Sequence, residues 1–428
     1  MRLPSPLRRR PVLWLIVPAV PLLFIVNSAS LTTTPLPGYW TWTVAHSVLL
    51  ILVPAAVAAT GAAFEASRLR KRRDENAVNA RSTAVVLFDA LWPSYVAGLL
   101  IQLLAIVLVS TQAAGGASGI PWGLLIAIAA ILAFHTSVGF LLGALLRPVI
   151  AIPLALAFSY SWLGFTGTVD WFPLRHLAGL VLETCCFYDE AVSSWSIIAA
   201  TTFSVGVASA CLAASAALLH SPGRPGTARF ILPVGLALAS SVLGLAAASA
   251  LTSTAAVPRS PDELVCDRNG IEVCLYPEQL GDAETVETMR AMMLRLEDLG
   301  VTAPDRVVAG RDGVNADVLE VRYLPGMTTP ELAGSIASSF RGDQLLNCSE
   351  EPVEETIERQ QSGDTARSWL TGTMAGQPIT QAGAAEGAPE GAYLSALERL
   401  SIEKQVQWIN AVLRSMDSCD SNPPGAPS

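Results

Sequence analysis

Cys266, Cys274, Cys348 and Cys419 lie in the last part of the chain, an even number that suits disulfide bonding in an oxidising compartment. The first two flank Asn269-Gly270 in the run LVCDRNGIEVCLYP, the strongest short signal for a β-hairpin. A two-residue turn there sets Cys266 and Cys274 nearly opposite each other. That pairing is preferred and leaves Cys348 for Cys419, one of the three connectivities that four cysteines allow. Catalysis finds little support. The four histidines are His46, His135, His176 and His220, so the region beyond Val257 has none. A zinc-protease helix, a Ser/His/Asp triad and a Cys/His dyad confined to that region are thereby excluded. No Lys follows Gly in a GK[ST] pattern, so the chain has no Walker phosphate loop and an ATP-driven role needs a separate chain. Glu350, Glu351, Glu354 and Glu355 lack the spacing of a calcium loop and read as a solvated helix face. No catalytic residue, cofactor or metal site is expected.

The other residues with chemical potential are polar groups set in apolar surroundings. Asp89, Gln102 and His135 fall inside long apolar stretches, where ionisable and amide groups are expensive and mark functional candidates. The bland reading of His135, beside Thr136 and Ser137, is a neutral imidazole hydrogen-bonded between helices. No acid at matching depth pairs with it for proton relay, so the bland reading is favoured.

Those stretches are 11–26, 44–63, 84–109, 122–146, 149–165, 197–219 and 230–250. A helix rises about 1.5 Å per residue and a bilayer core is roughly 30 Å thick, so about 20 apolar residues cross it. Seven crossings are expected, the first and fifth short, with the fourth and fifth joined as a tight hairpin at Arg147 and Pro148. The bases sort by side. Arg2, Arg8, Arg9 and Arg10 precede the first stretch; Arg68, Arg70, Lys71, Arg72, Arg73 and Arg81 follow the second; Arg147 follows the fourth; Arg224 and Arg229 follow the sixth. All lie inside if the N-terminus is cytoplasmic, and the intervening loops, with Arg175 alone, lie outside. The net charge is +6 before Val257 and −15 from there on, which together make the −9 of the chain. A multi-pass protein of the cell membrane is expected, with its C-terminal domain extracytoplasmic. Pro18 and Pro21 favour an uncleaved first anchor over a signal peptide cut near Ser28-Ala29-Ser30.

The loop between the second and third stretches reads EASRLRKRRDENAVNARST. Its bases are sufficiently explained by topology and anionic headgroups. The functional alternative is a docking site in which Glu65, Arg68, Arg70, Lys71, Arg72 and Arg73 meet a cytoplasmic partner. Gly139 with Gly143, and Gly206 with Ala210 and Ala214, predict close helix packing, within one chain or between two. The outer loop GTVDWFPLRHLAGLVLETCCFYDEAVSSW is too short to span and rich in aromatic residues, so it predicts an interfacial or re-entrant hairpin. Arg175, His176, Glu183, Asp189 and Glu190 would then face water, and the adjacent Cys185 and Cys186 would not bond to each other.

The fold expected is an α-helical polytopic membrane bundle of about seven transmembrane helices followed by an α+β extracytoplasmic domain. The bundle takes residues 1–252, the disulfide-bearing domain 253–419, and a disordered tail 420–428. In the domain the pattern predicts helices over 283–299, 329–340, 353–374 and 394–416 and strands over 306–309 and 318–323. Val286, Met289, Met293 and Leu296 share the apolar face of the first helix. A content of 25 Arg against Lys71 and Lys404 is the bias of a GC-rich genome and points to a bacterial source.

The first six stretches, the arginine-rich loop after the second and the re-entrant-like loop before the sixth resemble the permease subunits of type-2 ABC exporters. EVCLYPEQ, followed by a helix and then Ser368-Trp369-Leu370, is similar to the C-terminal region of uncharacterised actinobacterial membrane proteins of the ABC-permease-like kind. The resemblance implies a non-catalytic permease-like subunit of an export or immunity system, docked at Glu65 to Arg73 on a separate ATPase subunit and paired as a homodimer or with a second permease. A seventh span and an exported domain depart from that pattern. A membrane-anchored extracytoplasmic binding or sensor protein is the alternative. The lipid bilayer is a partner in both, and nucleic acid in neither.

Overall fold

The computed structural model describes residues 12–30, 35–71, 82–111, 118–220, 228–280, 283–310, 313–315, 318–341, 353–377, 390–416 and 424–427. They form two compact units, Met1–Pro258 and Arg259–Ser428. In the first, six helices are long and apolar enough to cross a membrane: Trp40–Lys71, Thr83–Ser110, Trp122–Leu145, Pro148–Thr166, Ser194–Leu218 and Phe230–Ala248. The seventh expected crossing is shorter. Its apolar run, Val12–Ser28, reaches only about 25 Å at 1.5 Å per residue, and its helix continues through Pro18 and Pro21.

Trp40–Lys71 is the central span, with 78% of its apolar window buried against 17% for Phe230–Ala248. It packs on Trp122–Leu145, which in turn packs on Ser194–His220. Small residues permit the first of these crossings. A Cβ at Gly139 or Gly143 would run into the main-chain carbonyl of Ala59 or Ala63, so the small-residue pair packs within this chain. Gly206 likewise lies against Ser240 of the last span. Hydroxyls along the spans bond to carbonyls one turn back, Thr60 to Ala56, Ser67 to Ala63, Thr136 to Leu132 and Ser215 to Cys211, so they cost little where water is absent. The fourth and fifth stretches make the predicted tight hairpin: one helix ends at Leu145, and the next begins with Pro148 in its first turn after Arg147.

The second unit is built on a five-stranded mixed sheet. Strands β3 (Val265–Asp267), β4 (Glu272–Leu275), β5 (Arg306–Ala309), β7 (Val318–Val321) and β6 (Gly313–Asn315) lie in that order, with β4, β5 and β7 parallel. β1 (Glu190–Val192) and β2 (Ala256–Pro258) form a separate antiparallel pair in the first unit. In the sheet, register aligns Val273, Val307 and Leu319, each almost wholly buried. Against them lies the helix Ala283–Asp298, whose Val286, Met289, Met293 and Leu296 are buried as the spacing predicts. Each such side chain contributes roughly 1.5–3 kcal/mol of burial.

Three expectations are corrected here. The predicted helix over 394–416 is two, Glu390–Glu398 and Ile402–Met416. Gln405 Nε2 donates to the Leu400 carbonyl in the break, while Gln405 Oε1 accepts from the buried Trp369 Nε1 at 2.7 Å. The terminal segment is not wholly loose. The carbonyls of Pro424 and Gly425 accept hydrogen bonds from Ser362 Oγ and Trp408 Nε1. The length of the hairpin turn is the third. Cys266 lies directly across from Cys274, as expected, but the loop that closes the hairpin, with Gly270 at φ +91°, is odd-numbered and longer than two residues, since a two-residue turn at Asn269-Gly270 would put Cys266 across from Val273.

Candidate functional site

The intramembrane polar candidates do not converge on one site. Gln102 is buried in Thr83–Ser110 and its Nε2 donates to the Ser47 carbonyl at 3.1 Å and Ser47 Oγ at 3.2 Å; its Oε1 has no partner among the described residues. His135 is fully buried in Trp122–Leu145, with Nδ1 3.0 Å from Ser159 Oγ and Nε2 unpartnered among the described residues. Its ring lies among Phe134 and Phe158. Each thus ties two neighbouring helices, the role favoured from the sequence for His135. Asp89 lies apart, on an exposed face of its helix.

At the arginine-rich end of Trp40–Lys71, Glu65 is buried and pairs with Arg68 at 3.2 Å. Arg70 donates to the Leu145 carbonyl at 3.0 Å, one of the orphan carbonyls at the end of Trp122–Leu145. Lys71 is exposed, and Arg72 and Arg73 lie outside the described residues. Glu65, Arg68 and Arg70 are therefore engaged within the bundle.

Sequence reasoning missed the structure of the loop between the fifth and sixth stretches. A short helix (Phe172–Ala178), a 3-10 turn (Leu180–Thr184) and β1 fold back over the bundle as a clasp. His176 and Glu190, expected to face water, are 0% and 7% exposed. His176 Nε2 donates to the Thr252 carbonyl at 2.9 Å and its Nδ1 accepts from Ser196 Oγ at 2.8 Å, which defines the neutral tautomer. Burial holds the imidazole below its usual pKa, against a smaller upward pull from the bond to Thr252. Tyr39 Oη donates to the Glu190 carbonyl and Tyr188 Oη to the Pro37 carbonyl, tying the clasp to the loop that precedes Trp40. Arg175 and Glu183 line a cavity of about 120 Å3 with Thr166, Thr184 and Ser253, and burial raises the Glu183 carboxyl above its usual range. The side chains of the adjacent Cys185 and Cys186 are both buried and lie against each other. The periodicity of an interfacial helix carried no signal for any of these long-range bonds.

The second unit brings together a different set. Cys266 and Cys274 are disulfide-bonded, with Cα atoms 4.0 Å apart. Arg306, at the start of the adjacent β5, reaches Cys274 Sγ at 3.4 Å and Cys266 Sγ at 3.8 Å, and its Nε lies 3.2 Å from a Glu272 carboxylate oxygen. The sulfurs and that carboxylate are close enough together for a metal ion, but the sulfurs are joined and the guanidinium already supplies the positive charge. Nearby, Arg259 makes a bidentate pair with the buried Glu278 at 3.0 Å, and Arg290 pairs with Asp267 at 3.0 Å. Cys348 and Cys419 lie outside the described residues.

A family model described as a domain of unknown function (DUF7224) matches residues 273–419. The match begins within β4, so it contains Cys274 and Arg306 and leaves out β3 with Cys266. No curated protein and no solved structure matches the chain.

Proposed function

We propose that this protein is a permease-like membrane subunit without catalytic chemistry of its own, working with a separate cytoplasmic ATPase in a bacterial ABC-type export or immunity system. Residues 259–428 are held outside the cytoplasm in this reading, as the inside placement of short basic loops requires. One observation carries the coupling argument. The most buried span, Trp40–Lys71, ends in the arginine-rich segment, where Arg70 also grips the end of Trp122–Leu145. A partner that moves that end moves the two helices that cross closely at Gly139 and Gly143. The test is purification in mild detergent with identification of co-eluting chains; a nucleotide-hydrolysing subunit at fixed stoichiometry is the expected result. Its absence favours the anchored binding or sensor protein, a reading supported by the hydrogen bonds that tie the clasp to the loop that precedes Trp40.

A further inference from the structure

The disulfide in the second unit is asymmetric. Cys274 is fully buried in β4, whereas Cys266 is only partly buried on β3, the edge strand of the sheet, beside the exposed Val265. The guanidinium of Arg306 lies closer to the buried sulfur, at 3.4 Å against 3.8 Å. The charges around the bond are Arg306, Glu272 and Arg268, with Glu272 shared between both arginines at 3.2 and 3.0 Å. Asp267, next along β3, is occupied by Arg290. A cation beside a sulfur favours its thiolate, and a stabilised leaving thiolate speeds exchange and makes the disulfide easier to reduce.

We propose that Cys266–Cys274 is a thiol-exchange site, whose substrate is an external thiol and whose leaving group is Cys274 held by Arg306. An incoming thiolate attacks Cys266 Sγ, the accessible sulfur. A new S–S bond forms to Cys266, the Cys266–Cys274 bond breaks, and its electron pair leaves on Cys274 Sγ beside the guanidinium. A second thiolate attacking the mixed disulfide at the external sulfur releases Cys266, so a dithiol donor is oxidised as the pair is reduced. The proposal is independent of any ATPase partner.

The full chain in detergent, equilibrated with reduced and oxidised dithiothreitol and then alkylated, gives the reduced fraction at Cys266 and Cys274. Arg306→Met is expected to make reduction about tenfold harder, a shift of about 30 mV for a two-electron couple, and Arg306→Lys to recover most of it. Glu272→Gln, which removes the opposing charge, is expected to make reduction several-fold easier. Opposite signs separate electrostatic control from simple damage to the fold, which would move both variants the same way. Brief treatment with reduced glutathione, quenched by acid, is expected to leave the adduct on Cys266. An unchanged midpoint in Arg306→Met, equal shifts in both variants, or an adduct mainly on Cys274 would overturn the proposal.

Discussion

Gly143 meets the main-chain carbonyl of Ala63 so closely that one added methyl group would overlap it, and Gly139 stands in the same relation to Ala59. The central crossing of the bundle is thus set by two missing side chains. Replacing either glycine by Ala is expected to cost about 1–3 kcal/mol through overpacking. Gly164, with nothing within 4 Å of its Cβ position, serves as the control for Ala substitution. Thermal unfolding in one detergent compares them; equal midpoints for all three variants would show that the crossing does not limit stability.

The clasp should respond to acid through His176. Its folded pKa lies below the ordinary 6.5, so the neutral form is the folded one and unfolding takes up a proton once the pH falls below that value. Stability is full above about 6.5 and declines as the pH drops towards the folded pKa. Amide exchange over 172–192, corrected for intrinsic rates, is expected to accelerate on acidification. In His176→Gln the exchange should be faster at neutral pH and lose this dependence; an unchanged pH response there would assign the effect to another group.

For the arginine-rich segment, two substitutions separate packing from docking. Arg70→Gln removes the bond to Leu145 and should lower bundle stability by about 0.5–1.5 kcal/mol. Arg72→Gln with Arg73→Gln leaves that bond intact and is expected to release a co-purifying ATPase at normal membrane abundance. Retention of the partner in the double variant would count against docking there.

Topology has its own test. A reporter fused after Gly270 or at the C-terminus should be extracytoplasmic, and one after Arg73 or Gly226 cytoplasmic. A cytoplasmic C-terminus would remove the exported assignment and, with it, the oxidising compartment argued from the cysteines.

Features encoded locally were legible in the sequence. Apolar length marked six spans, Pro148 marked the start of the fifth stretch, and the spacing of Val286, Met289, Met293 and Leu296 marked a buried helix face. Each depends on residues a few positions apart, where the period of the backbone converts order along the chain into position in space. The Asn269-Gly270 signal located a hairpin that sets Cys266 across from Cys274 as expected, but not the length of its loop, because the signal names the turn and does not count the residues that close it.

Tertiary structure alone decided the rest. His176 is buried because Thr252, 76 residues away, offers it a carbonyl, and Tyr39 reaches Glu190 across 151 residues. Arg306 lies beside the Cys266–Cys274 bond only because β5 pairs in parallel with β4, placing Arg306 across from Glu272. Neither hydropathy nor periodicity carries such pairings. The sequence by itself determined which segments must leave water and which bend or alternate; their packing decided which polar groups would meet once water was excluded.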